Sequence, residues 1–406
     1  MNLSSGEFLE GIRVLDLTSF LAGPYGTQVL ADAGADVIKI ESPSGDSSRA
    51  IPPHFVGGES VYFHTVNRNK RSVVLDLKQS EAVQAFRRLA AGSDVIVENF
   101  RPGVMERLGI GLAALRAENP ALVTCSISGF GADSPHRDVP AYDAVIQAWS
   151  GGMSLTGHPG APPARMGIPI GDLAAGMFGA LGILGALVRR GKTGVGDHVD
   201  VAMYDAQIAL LGYQVAYYLH SGEVPGPQGA GHLSIPTYRT FLCSDNVYVM
   251  VTANTERMWQ GLCAAVDAPE LVDDPRFVDN AARLEWKAEL WPLLEAAFLR
   301  IPSKEIIRRL RSSSVPVAPV NDIGSALKDV QVAARRMVVD LVGSGDHHVQ
   351  VPGNPIKAEG MRDEALFTFP SELGADTRAV LHEVGGLSEA EVIELLESGA
   401  AIERRR

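Results

Sequence analysis

The chain has 406 residues, 46% hydrophobic and 21% charged, which is enough apolar material for more than one packed core. Its 36 Lys and Arg against 48 Asp and Glu leave a net charge of −12, so nucleic acid and anionic membranes are excluded as general partners, since both demand a cationic surface. Three cysteines (Cys125, Cys243, Cys263) offer neither a disulfide framework nor a zinc site, and the start lacks the basic and apolar regions of a secretory leader; a reducing, cytoplasmic location is expected.

In chain order, strand and helix patterns alternate. Residues 12–17 read as a buried strand, 23–33 as a helix closing at Gly34, and 36–40 as the next strand. A Pro/Ser/Gly-rich loop over 42–58 precedes a strand at 72–77, a helix at 80–91 and a strand at 94–97. A helical stretch over 102–108 and a strand at 121–127 follow. Alternation with continuously apolar strands predicts an α/β, Rossmann-like parallel sheet covered on both faces. The apolar run 173–188 is too short for an ordinary membrane span, so 172–190 is expected to be a buried helix. A strand at 198–203 and a helix at 204–219 lead to a Gly/Pro-dense linker over 221–236. Beyond it, Ser244-Asp245-Asn246 between two strands signals a hairpin, with helices over 255–266, 281–299 and 303–311, a small α+β unit. A closing helix spans 388–398, and 403–406 read as a frayed tail.

Two nucleotide-binding motifs nearly appear and fail on context. Gly109–Ala114 spells GxGxxA but follows a helix where the fingerprint needs a strand. Gly185 to Thr193 has one residue too many for a Walker A loop and lies at a helix C-terminus, where the dipole opposes phosphate; Gly191 reads as the residue ending that helix. No HExxH motif, histidine pair at helical spacing or GxSxG elbow occurs, and His347-His348 beside Gly345-Asp346 read as an exposed turn. No metal site is expected.

Asp172 opens the apolar helix after Gly171. The ordinary role of an aspartate there is an N-cap, and the same position suits a carboxylate nucleophile approachable past small neighbours. Two basic segments, Asn67-Arg68-Asn69-Lys70-Arg71 and Asn99-Phe100-Arg101 with Arg107 a turn later, flank strands and could engage phosphates or form ordinary ion pairs.

Further segments complete a pattern: Gly11-Ile12-Arg13-Val14-Leu15-Asp16-Leu17, Ala22-Gly23-Pro24, Asp36-Val37-Ile38-Lys39-Ile40-Glu41, Glu98-Asn99-Phe100-Arg101-Pro102-Gly103, Ser128-Gly129-Phe130-Gly131, Ala141-Tyr142-Asp143, Gly171-Asp172 and Thr193-Gly194-Val195-Gly196. In this order, over nearly the whole chain, they resemble the class III CoA-transferases, the family of formyl-CoA transferase and carnitine CoA-transferase. The resemblance implies a discontinuous large domain (1–222 and 326–406), a small domain with linkers (223–325), and two subunits interlocked like linked rings, as a homodimer or with a paralogous partner. It makes Asp172 the catalytic residue, working through aspartyl anhydride and aspartyl-CoA thioester intermediates. CoA and acyl-CoA are substrates, with no tightly bound cofactor. Asn67, Arg68, Asn69, Lys70, Asn99, Phe100, Arg101 and Arg107 match segments that hold CoA, and Tyr142 and Asp143 match positions near the active site.

Related α-methylacyl-CoA racemases carry His where this chain has Tyr142; a phenol, with an ordinary pKa of about 10, makes a poor base at neutral pH. A non-catalytic CoA-binding subunit is disfavoured by the retained Asp172. Ser19, Leu21 and Ser42 depart from formyl-CoA transferase, and Thr252-Ala253-Asn254-Thr255 replaces its glycine-rich loop, which argues against formyl-CoA and oxalate. The segment from Gly231 to Tyr238 is similar to members that use succinyl-CoA and dicarboxylic acids, with Arg49, Arg165, His232 or Arg239 as holders of a distal carboxylate.

Overall fold

Successive apolar residues such as Val14-Leu15, Val37-Ile38, Val73-Val74-Leu75 and Val95-Ile96-Val97 leave a strand no solvent face, and all of these are buried. In the computed structural model, which describes residues 6–343 and 347–404, β1 (Arg13–Asp16), β2 (Asp36–Glu41), β3 (Lys70–Leu75), β4 (Val95–Glu98), β5 (Val123–Ser128) and β6 (His198–Ala202) run parallel. A short antiparallel strand, Ala401–Ile402, closes one edge against β3, giving the order (401–402)-β3-β2-β1-β4-β5-β6. Leu15, Ile38, Val73 and Ile96 face a layer containing Phe86, Leu89, Val380 and Val392. Val14, Val37, Val95 and Val123 face the opposite way, onto Leu30, Ala175 and Ile183. The parallel α/β expectation therefore holds.

This sheet belongs to the first of two compact units, Met1–Gly152 with Arg165–Gly222 and Val330–Arg406; the second is Met153–Ala164 with Glu223–Asp329. Within the first, α1 (Ala22–Asp32) follows β1, and α2 (Val61–Asn67) precedes β3. The helix α3 (Ser80–Ala91) has the predicted bounds, and α4 (Asp143–Trp149) follows β5. The long α5 (Ile170–Thr193) packs along α1 so closely that a Cβ on Gly176 would lie 2.4 Å from the Ala22 carbonyl oxygen, so only glycine fits the crossing. At 24 residues α5 exceeds the apolar run within it and is long and apolar enough to cross a membrane, which corrects the length argument; its Gly176, Gly179 and Ile183 are instead buried in this unit. Gly194, left-handed at φ 73°, ends the helix, not Gly191.

Other departures have local causes. The single helix expected over 204–219 is two, Met203–Leu210 and Tyr213–Ser221, broken at Gly212 with φ 53°. The stretch 281–299 breaks at Trp286, with Asp279 capping the first half. The helices α2 and Leu112–Glu118 went unpredicted, although Ser60 caps α2 by accepting the Tyr62 N–H. At the C-terminus Arg404 pairs with Glu372, so the described part of that tail is tied down. Gly345 and Asp346 lie outside the described residues; His348 begins a hairpin strand and bonds Asp340.

In the second unit, Tyr238–Leu242, Tyr248–Thr252 and Val317–Pro319 form an antiparallel sheet, and Asn246 turns the predicted hairpin at φ 62°. Its core stacks Phe241 on Phe298 with ring centroids 4.2 Å apart, beside Trp259 and Phe277.

Candidate active site

In an open parallel sheet, ligands bind beyond the carboxyl ends of the strands where the strand order reverses. That reversal falls at β1, flanked by β2 and β4. A cavity of about 290 Å³ opens there, walled by Ser19 and Phe20 after β1, Asn99 and Arg101 after β4, Ser128 at the end of β5, and Tyr62, Tyr142 and Asp172. A second cavity of about 400 Å³ shares Phe100, Arg101 and Arg137 with it and extends along Met105, Arg116 and His198. Burial pushes Glu98, which lines that second cavity, up to about 7 against bonds from Ser126 and the Phe100 N–H.

Asp172 is the third residue of α5, not its N-cap; Pro169 occupies the cap position without a side-chain bond. Its carboxylate accepts no hydrogen bond and forms no ion pair among the described residues. Burial raises its pKa, the nearby Asp143 carboxylate raises it further, and it reaches about 7. The Tyr62 phenol beside it is pushed up to about 12, by burial first and then by Asp172. Tyr62 went unrecognised as a site residue because the helix that presents it has no clear periodicity. The Ser60 cap two residues earlier was the available signal.

Asp143 is the anchor of this turn. Its Oδ1 accepts the Gly171 N–H at 2.8 Å and its Oδ2 accepts the Gln147 amide at 2.7 Å. A Cβ on Gly171 would stand 2.7 Å from the Gln207 amide nitrogen, so any larger residue before Asp172 would require that side chain to move. Asp143 thus holds the helix start; it is buried and is not among the residues that wall the cavity. Replacing it by Asn keeps one acceptor oxygen for the Gly171 N–H, gives up the acceptor facing the Gln147 amide, and removes the like charge. Asp143→Asn is expected to move the acid limb of the pH–rate profile to lower pH, by only part of the Asp172 elevation because burial is the larger cause.

The two basic segments separate. Asn67, Arg68, Asn69 and Lys70 are buried, with their polar atoms used inside the frame. Arg68 makes a two-point pair with Asp32 (3.0 and 2.7 Å) and donates to the Pro352 carbonyl. Asn69 donates to Asp32 and accepts the Thr368 N–H. Lys70 meets Asp16, the Pro24 carbonyl and Asn67 at 2.9–3.0 Å. Burial alone would raise the Asp16 carboxyl, but Lys70 and Lys39 hold it well below the usual carboxylate range. The polar atoms of these four side chains are engaged within the frame; a buried charge needs its partners, and these have them. The Asn99 amide is likewise committed, both its ends bonding the Ser19 backbone at 2.9 Å. Phe100 is half-buried on the cavity wall, Arg101 and Arg107 are exposed, and neither arginine forms an ion pair among the described residues. Arg49 is engaged by Glu41 and Glu59, whereas Arg239 pairs with Glu295 through one guanidinium nitrogen and keeps Nη1 buried without a hydrogen-bond partner among the described residues. Among the described residues no group of His, Cys, Asp or Glu is placed to hold a metal ion.

A half-buried, unpartnered carboxylate thus lies at the carboxyl edge of a doubly wound sheet, beside cavities walled by Arg101, which forms no ion pair among the described residues, an arrangement open to an anionic substrate. The chain belongs to CoA-transferase family III, whose model matches residues 9–377, and is accordingly a class III CoA-transferase acting on CoA thioesters and carboxylic acids. It is 40% identical to an acetyl-CoA:oxalate CoA-transferase of Acetobacter aceti over 87% of this chain and 90% of that one. It is 37% identical to a succinate–glutarate CoA-transferase of Agrobacterium fabrum over 82% and 85% respectively. Among solved structures, a CAIB/BAIF family protein from Brucella suis superposes with a TM-score of 0.83 at 34% identity, covering 93% of this chain and 100% of that one.

Proposed function

We propose that the enzyme moves CoA from succinyl-CoA, or a comparable short acyl-CoA, to a dicarboxylic acid through covalent intermediates on Asp172. The observation that carries this reading is the Asp172 carboxylate itself: unpartnered, poorly solvated, and ionised in substantial fraction at neutral pH. An Asp172 oxygen attacks the donor thioester carbonyl, forming a mixed anhydride and releasing CoA thiolate. The thiolate attacks the aspartyl carbonyl; the donor acid leaves as carboxylate and Asp172 carries CoA as a thioester. An acceptor carboxylate attacks that thioester, giving a second anhydride and thiolate again. Thiolate attack on the acceptor carbonyl forms the product thioester and returns Asp172 as carboxylate. Each thiolate stays bound through one step, so the thioester energy is retained, and exclusion of water protects the anhydrides.

Phe100, Arg101 and Arg107 are the CoA-holding residues in this reading, with the larger cavity taking the nucleotide end. Arg137, on the shared wall, is the cation suited to a second carboxylate. Oxalate returns as an acceptor to test, because a relative 40% identical bears its name; the departures at Ser19, Leu21 and Ser42 therefore do not exclude it. The working form is an interlocked homodimer in the cytoplasm, in keeping with three buried, free cysteines and the outward apolar row Met177, Leu181, Val188 on α5.

The test is a donor–acceptor screen followed by trapping. Enzyme mixed with succinyl-CoA and quenched with hydroxylamine is expected to give an Asp172 peptide with the mass of the hydroxamate. Active enzyme that never acquires this modification would remove the anhydride route.

A further inference from the structure

Phe20 is a bulky residue in the left-handed region, at φ 65°, where glycine or asparagine would sit with less strain. The residue is 38% exposed, so core burial does not compensate for the conformation. Among the described residues its only ring partner is Tyr142, edge-on at 6.2 Å and 82°, and both rings wall the cavity that contains Asp172.

The conformation is held from two sides. Asn99, after β4, bonds both the N–H and the carbonyl of Ser19, after β1, at 2.9 Å each, bridging the point where the strand order reverses. On the other side the Phe20 N–H donates to Asp46 (3.3 Å), itself fixed by Lys39 at 3.0 Å and the Ser48 N–H at 2.8 Å. A backbone strain kept by this many anchors, presenting an exposed ring to a cavity, points to use of the ring.

We propose that Phe20, packed on Tyr142, is the specificity-determining residue that limits the size of the acyl group admitted to Asp172, and that Asn99 is its positioning residue. Short acids pass beside the aromatic pair, while longer or branched ones are refused by the ring edge. Size selection of this kind is worth about 10- to 200-fold per methylene in an apolar pocket. The inference rests on the reading of Asp172 as the site of transfer.

The experiment compares kcat/KM for C4 and C5 dicarboxylic acceptors with C7 and phenyl-substituted ones, using succinyl-CoA as donor. Phe20→Ala and Phe20→Gly should each raise the long-to-short ratio by at least about tenfold, and Phe20→Leu should move it less. Asn99→Ala should shift the ratio in the same direction in the Phe20 background and leave it unchanged when combined with Phe20→Gly, where no ring remains to position. A ratio that stays within about twofold of the parent in folded, active Phe20→Ala and Phe20→Gly would overturn the proposal. If Asn99→Ala instead raises the KM for succinyl-CoA equally in both backgrounds, Asn99 is a CoA contact and the positioning role falls. Absence of transfer by the unaltered enzyme with every acceptor would be a failure of the proposed function, visible before any variant is made.

Discussion

Asp172→Ala is expected to lower CoA transfer by about 10⁴-fold or more, the scale on which removal of a nucleophile acts, while the protein stays folded. The companion substitution Asp172→Asn is expected to raise the thermal midpoint of the apo-enzyme at pH 8 and to have little effect on it at pH 4. The sign follows from proton linkage. In the folded chain the carboxyl titrates at about 7, raised by burial and then by Asp143, whereas in the unfolded chain it titrates near its ordinary value of 3.8. Between those values the folded state holds a proton that the unfolded state has released. The group's contribution to stability therefore falls as pH rises from about 4 to about 7 and stays low above that. The amide carries no such penalty, so its advantage grows over the same window. Differential scanning calorimetry of the two proteins from pH 4 to 8 measures it; a constant difference across the range would show that the elevation is absent. The same titration predicts that formation of the aspartyl intermediate slows about tenfold per pH unit well below 7, since only the carboxylate attacks.

The second large effect concerns Arg68. Asp32 ends α1, where the helix dipole already disfavours a negative charge, and it accepts four hydrogen bonds: two from Arg68 and one each from Asn69 and Asn354. Arg68 also stacks over Phe367 at 4.7 Å and bonds the Pro352 carbonyl, tying the C-terminal segment to the first half of the unit. Arg68→Leu leaves a buried carboxylate without its cation. It is expected to cost about 3–5 kcal/mol, read as a lower denaturant midpoint. A CoA ligand would behave differently: the KM for acyl-CoA would rise and the unfolding midpoint would stay where it was. The two outcomes separate a frame residue from a substrate contact, and the same comparison applies to Lys70.

The elements legible in the sequence were those with a complete local signal. The bounds of α3 coincide with prediction because its apolar stripe ends at Gly92, and the parallel strands declare themselves by short apolar runs such as Val37-Ile38, Val73-Val74-Leu75 and Val95-Ile96-Val97 alternating with helical segments. The helices that split did so at Gly212 and Trp286, where the periodic pattern runs on but the backbone does not. For the site, Asp172 was legible through its motif and its place after Gly171, though its apparent role as a cap was wrong by three positions, since the cap is Pro169. Phe20 was not legible, because nothing in its neighbours along the chain marks it, and Tyr62 was signalled only by the Ser60 cap two residues earlier.

Composition, strand–helix alternation and the ordered motifs thus determined the fold class, the family and the candidate nucleophile. These depend on residue types and short spacings, which a single chain displays directly. The tertiary structure alone decided which polar groups are available. Arg68 and Arg101 look alike as letters, yet one is bound to Asp32 and to a carbonyl 284 positions away while the other stands open on a cavity wall. Hydrogen-bond partners and solvent access are set by residues distant in sequence, and it is those partners that separate a charge serving the frame from one free to meet a substrate.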